Sequence, residues 1–359
     1  MSAPDWVPLR DELRHDEPYG APQLDLAVQL NTNENPYGPS AEVVASIARA
    51  VTDAVGTLNR YPDREAKALR AGLAGYLGHG LDATQVWAAN GSNEVMQQIL
   101  QAFGGPGRTA VSFAPTYSMY PEYARNTHTR WVTGQRREDF GIDLDAALGL
   151  IETEQPHVVI LTSPNNPTGT ALPLDTVSAI ADAAPGIVVV DEAYAEFRRE
   201  GTPTALELLP RYRCLLVTRT MSKAFAYAGG RLGYVAADPA IIDALRIVRL
   251  PYHLSVVQQA AALAALGHAD ELLMRVDELR ATRDELAAWL AAEGFHVAQS
   301  DANFILFGPF DDRHAIWQGL VDRGVLIRET GPEGWLRVSV GTPAEMSTFR
   351  AALKEVVAS

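Results

Sequence analysis

Apolar residues occupy consecutive positions in a series of short segments, at 86–89, 109–113, 157–162, 187–190, 214–218 and 232–236. Strands that alternate apolar and polar positions have one wet face, whereas unbroken apolar runs of this length predict strands covered on both faces. Between them, residues 93–103 and 172–184 carry apolar positions at helical spacing, so the pattern predicts strand and helix in alternation. That arrangement is an α/β unit whose sheet is central and mostly parallel.

The pattern changes after about residue 250. A Gln/Ala-rich stretch at 256–266 leads into a charged amphipathic segment, 270–293, read as one long helix joining two units. Strands at 303–307, 325–328 and 335–340, with helices at 312–323 and from 344 onward, then predict a smaller α+β domain. At the other end, Val43, Val44, Ile47, Val51 and Val55 share one helical face within 40–55, while nothing before Asn31 looks regular. The expected division is therefore an N-terminal arm at 1–39 that packs on the small domain and on a partner copy, a large domain at 40–265 and a small C-terminal domain at 266–359. The chain shows no internal repeat.

Composition narrows the chemistry. The 359 residues are 47% hydrophobic and 21% charged, ordinary for a soluble globular protein. The net charge of −14 opposes nucleic acid and anionic membrane surfaces as partners. A single cysteine, Cys214, excludes an intrachain disulfide and a Cys-rich zinc site. The first twenty residues are too charged for a signal peptide and no 18 apolar residues run together, so a cytoplasmic protein is expected. The glycine clusters at 104–107 and 229–230 match neither a Walker nor a Rossmann fingerprint. The eight histidines form no metal or hydrolase motif, and no metal is expected.

Unusual polar groups gather at the carboxyl ends of three predicted strands, where ligands bind in open α/β sheets. They are SPNNPTG at 163–169, DEAY at 191–194, and TMSK at 220–223 followed by Arg231. Singly, each has a bland explanation as a turn, a helix cap or a solvated lysine. In this order and spacing they resemble the fold-type I pyridoxal-phosphate-dependent transferases, and within these the histidinol-phosphate aminotransferase family. The resemblance runs from LNTNENP at 30–36 to LRVSVGT at 336–342, and the stretches around Arg60-Tyr61-Pro62, Tyr117 and Leu250-Pro251-Tyr252 point to the subfamily.

That resemblance implies a role for each matched residue. Lys223 would hold the aldehyde of pyridoxal 5'-phosphate as a Schiff base and later carry the substrate's α-proton, both tasks for an amine. Asp191 would face the ring nitrogen and keep it protonated. Asn166 and Tyr194 would donate to the ring oxygen, and Tyr117 would stack on the ring. Relatives often hold the bond corresponding to Asn166-Pro167 in the cis form. Ser92, Asn93, Ser222 and Arg231 would cradle the phosphate, which carries about −1.5 to −2 charges. The family usually has Asp where Asn93 stands. Tyr61 would reach the phosphate of a neighbouring subunit, which implies a homodimer with shared active sites. Arg337 would grip the substrate α-carboxylate, and Arg328 with Tyr19 would bind the distal anion.

The expected activity is amino-group exchange between L-histidinol phosphate and 2-oxoglutarate, a step of histidine biosynthesis, with glutamate as the second product or donor. Three alternatives stay open: an aromatic-amino-acid aminotransferase on the same scaffold, a threonine-phosphate decarboxylase, and a non-catalytic cofactor-binding regulator.

Overall fold

The structure, a computed structural model, describes every residue except 1–3, Asp5, Asp16, Tyr19 and Ser359. In chain order its strands are β1 (Val28–Gln29), β2 (Val86–Ala89), β3 (Thr109–Ala114), β4 (Arg130–Gln135), β5 (Val158–Thr162), β6 (Ile187–Asp191), β7 (Leu215–Thr220), β8 (Gly233–Ala237), β9 (His296–Val297), β10 (Phe304–Gly308), β11 (Val325–Leu326), β12 (Arg328–Glu329) and β13 (Leu336–Ser339). Seven of them form the central sheet in the order β2-β8-β7-β6-β5-β3-β4. Its pairs are parallel from β7 through β4, and β8 runs antiparallel to both its neighbours.

The unbroken apolar runs have the predicted cause. Along β5, Val159 and Leu161 enter one core while Val158 and Ile160 enter the other, and along β6 Val188 and Val190 are divided from Ile187 and Val189 in the same way. Two layers of helix therefore cover the sheet, and every residue of β5, β6 and β7 is buried.

A four-stranded antiparallel sheet, β12-β13-β10-β9, makes the smaller C-terminal layer. Its register sets Arg328 directly opposite Arg337. The core of this layer is built on Ile305, Phe307, Val338 and Phe349.

Four expectations change. The segment before Asn31 contains a strand: β1 pairs in parallel with β11, Val28 opposite Val325. The predicted strand at 325–328 is divided at Ile327 between two sheets, because its first half pairs with β1 and its second with β13. The predicted helix at 270–293 is two helices, Ala269–Leu273 and Val276–Ala292. At the break, the Arg275 guanidinium lies 4.7 Å from the centroid of the Tyr37 ring and pairs with Glu278. Finally, the apolar face of the helix Ala41–Val55 is only partly covered, with Val43 buried but Val44 and Val55 about half exposed. Strand β4 was invisible in the pattern because four of its six residues are polar or Gly and none is buried.

Candidate active site

A cavity of about 270 Å³ opens at the carboxyl ends of β5, β6 and β7. Eleven of the thirteen residues singled out from sequence line it: Ser92, Asn93, Tyr117, Asn166, Asp191, Tyr194, Ser222, Lys223, Arg231, Arg328 and Arg337. Tyr61 does not. It stands 80% exposed, stacked on Tyr252 with ring centroids 4.4 Å apart, outside the cavity. Tyr19 lies outside the described residues.

Backbone geometry builds one end of the cavity. Gly91 precedes the helix Ser92–Phe103 with φ +86°, and a Cβ there would come within 2.5 Å of the Arg231 guanidinium. A Cβ on Gly233 would strike the Ser92 nitrogen at 2.1 Å, so β8 can approach this helix start only as glycine. The first amides of a helix have no partner within it, and here Ser92 and Asn93, the first two residues of their helix, line the cavity beside Ser222 and Arg231. Arg231 itself has φ +56° and donates to Ala228 O at 3.3 Å and Ser222 Oγ at 3.5 Å.

At the floor, Asp191 ends β6 and is buried. Its Oδ1 accepts from the Ala193 amide at 3.2 Å and its Oδ2 from the Tyr120 hydroxyl at 2.8 Å. Having spent its proton there, the Tyr120 oxygen accepts from Thr162 Oγ1 at 2.9 Å. Burial pushes the Asp191 carboxyl above its usual range, against the lowering effect of these donors. Among the described residues no cationic side chain pairs with it, so the carboxylate suits a ligand nitrogen that carries a proton. Sequence reasoning missed the role of Tyr120, whose contact with Asp191 spans 71 positions and leaves no local signature.

Lys223 sits where β7 gives way to a loop. Its Nζ donates to Thr32 O at 2.8 Å. Loss of hydration, with the positive charges of Arg337 and Arg231, lowers the amine from 10.5 to about 8, while Glu34 acts to raise it. A lysine so placed is a usable nucleophile and proton carrier close to neutral pH.

Three successive residues of the N-terminal arm close the cavity from above. Asn31 O accepts from Arg337 Nη2 at 2.7 Å, Thr32 O accepts from Lys223, and Asn33 Nδ2 donates to the Tyr194 hydroxyl at 3.0 Å. The Arg337 guanidinium also donates to Asn166 Oδ1 and faces the Phe304 ring at 5.1 Å. Arg328 Nη2 donates to Gly20 O at 3.3 Å. The Asn166-Pro167 bond is cis.

The profile of the family described as aminotransferase class I and II matches residues 27–353. The chain belongs to that family. This aminotransferase is 66% identical to a histidinol-phosphate aminotransferase of Thermobifida fusca, across 97% of the chain and 95% of the relative. It is 54% identical to the histidinol-phosphate aminotransferase of Mycolicibacterium smegmatis, across 98% and 93%. Among solved structures, the histidinol-phosphate aminotransferase of Sinorhizobium meliloti in complex with pyridoxal-5'-phosphate superposes with a TM-score of 0.82 at 28% identity, covering 93% of this chain and 91% of that one. The fold is that of the fold-type I aminotransferases. No helix of the described residues is long and apolar enough to cross a membrane.

Proposed function

We propose that this aminotransferase exchanges the amino group between L-histidinol phosphate and 2-oxoglutarate, with pyridoxal 5'-phosphate as its cofactor. The observation that carries the reading is one cavity in which a lysine amine lowered to about 8 and a buried carboxylate share walls with Arg328 and Arg337.

The residues fit the cofactor end by end. Helix-start amides, a hydroxyl and a guanidinium around Gly91 suit a dianionic phosphate, and Asp191 suits a protonated ring nitrogen. When bound, the cofactor supplies an electron-withdrawing ring that stabilises negative charge at the substrate's α-carbon. Lys223 Nζ would hold the cofactor's aldehyde covalently, and its amine would carry the substrate's α-proton. Asp191 keeps the ring nitrogen charged, with Tyr120 holding the carboxylate in place. Tyr117 covers one ring face, while Asn166 and Tyr194 donate to the ring oxygen.

Substrate recognition follows from charge. Arg337 presents a planar fork suited to the α-carboxylate of glutamate. Arg328, with Tyr19, meets the distal anion, which is a phosphate in one substrate and a carboxylate in the other. Exposed Leu58, Tyr61, Ile247 and Leu250 support a homodimer, in which Tyr61 of each subunit reaches the phosphate held by the other. The division at 1–39, 40–265 and 266–359 and a cytoplasmic setting complete the proposal.

Steady-state assay against histidinol phosphate and phenylalanine, each with 2-oxoglutarate, tests it. A kcat/KM for histidinol phosphate well above that for phenylalanine supports the reading. The reverse order makes the protein an aromatic aminotransferase, and release of carbon dioxide from a phosphorylated amino acid makes it a decarboxylase.

A further inference from the structure

We infer that Asn33 is a positioning residue that sets the direction in which the Tyr194 hydroxyl donates its proton. The inference rests on the pyridoxal-phosphate reading above and gives Asn33, which lies within LNTNENP at 30–36, a role that the resemblance does not supply.

Asn33 is 2% exposed and Tyr194 5%, so neither can exchange this contact freely for water. The Asn33 amide nitrogen lies 3.0 Å from the Tyr194 oxygen. Its orientation is fixed by Ser339, whose Oγ accepts from the Asn33 backbone amide at 2.9 Å and donates to Asn33 Oδ1 at 2.9 Å. Turning the amide over would leave that hydroxyl facing two donors with no acceptor for its own proton. Nδ2 therefore points at Tyr194. An NH2 group cannot accept a hydrogen bond, so the tyrosine must direct its O–H elsewhere.

The backbone is arranged for the same purpose. Asn33 has φ +55°, a left-handed conformation that Asn tolerates better than most residues. Its carbonyl accepts from Asn303 Nδ2 at 3.1 Å, which ties the turn to the small domain. Tyr194 itself stands edge-on to Phe304, with ring centroids 5.0 Å apart, so the ring is braced while Asn33 governs its hydroxyl. A donor at the cofactor's ring oxygen stabilises its negative charge most once the linkage nitrogen has lost its proton, and so lowers the pH at which the lysine linkage titrates.

Asn33→Asp tests the inference because it keeps the shape and reverses the bond: a carboxylate accepts from Tyr194 and draws its proton away from the ring. The readout is the visible absorbance of the cofactor-loaded protein titrated with pH, which needs no turnover. Asn33→Asp should raise the midpoint by about one to two pH units, the scale of one lost hydrogen bond to a charged group. On a Tyr194→Phe background the same substitution should move it little, since no hydroxyl remains to be redirected. Asn33→Gly, which keeps the left-handed turn and deletes the amide, should shift it in the same direction by less. An unchanged midpoint in Asn33→Asp, or an equal shift with and without the Tyr194 hydroxyl, overturns the inference. A wild-type protein that shows no titrating visible band with added pyridoxal 5'-phosphate overturns the reading on which it rests, and the inference with it.

Discussion

The phenol of Tyr120 donates a 2.8 Å hydrogen bond to Oδ2 of Asp191, and both side chains are buried at the floor of the cavity. A buried carboxylate depends on such donors, because each one removed leaves negative charge without compensation. Tyr120→Phe should therefore make Asp191 harder to ionise and weaken cofactor retention by about 10- to 100-fold, the size of one charge-assisted hydrogen bond. Equilibrium dialysis of pyridoxal 5'-phosphate against wild type and variant measures this. Equal affinities would remove Tyr120 from the account.

Lys223 gives a prediction about pH. Its amine is lowered from 10.5 to about 8, so the cofactor-free fold binds fewer protons than the unfolded chain between those values. Stability in that window should rise with pH, the penalty on the charged amine being full below about 8 and relieved above it. Lys223→Met should lack the rise, as seen by denaturant titration of both cofactor-free proteins. Covalent loading of added cofactor should likewise reach half its maximal rate near pH 8 and not near 10.5.

Lys223→Ala should abolish borohydride-trappable attachment of the cofactor and lower turnover by at least about 10²- to 10⁴-fold, since anchor and proton carrier are one group. Persistence of a trapped adduct would place the attachment elsewhere.

The two arginines should separate in half-reactions. Arg337→Ala should weaken glutamate while sparing histidinol phosphate, which has an alcohol in place of the α-carboxylate. Arg328→Ala should impair both, because both carry a distal anion. Each affected substrate should lose roughly 10- to 150-fold in kcat/KM. Equal losses for the two substrates in Arg337→Ala would refute this division of labour.

Tyr61 allows a test by mixing. Subunits carrying Tyr61→Phe and subunits carrying Lys223→Ala, refolded together, should form dimers in which one of the two sites has both an intact lysine and an intact tyrosine. Activity per site should exceed that of either parent. If Tyr61 served its own subunit, mixing would add nothing.

The strands were legible where burial alone decides the residue type. The run Ile187 to Val190 could hardly be anything but a sheet interior, and Asp191 at its end stood out against it. Asn166, Asp191 and Lys223 were legible because each belongs to a polar segment at the end of such a strand, whereas Arg328 and Arg337 were placed by the resemblance alone. What stayed hidden was non-local. Strand β4 carries a mostly polar, half-covered pattern at the sheet edge, and at the break at Met274–Arg275 the Arg275 guanidinium packs on Tyr37, 238 positions earlier. Tyr120 and Asn33 act through hydrogen bonds to residues 71 and 161 positions away, which no window along the chain can contain.

The division of the strand at Ile327 reaches into substrate choice. Because β12 and β13 pair with Arg328 opposite Arg337, both guanidiniums stand on one face of the sheet, where like charges in direct opposition repel unless an anion lies between them. The hairpin loop from Thr330 to Trp335 fixes that frame, with Gly331 and Gly334 at positive φ. A slip of one residue would carry Arg328 to the far face and leave the sheet otherwise paired. The length of this loop thus holds the two guanidiniums side by side, and on the proposed reading a single insertion or deletion there should weaken binding of both anionic substrates.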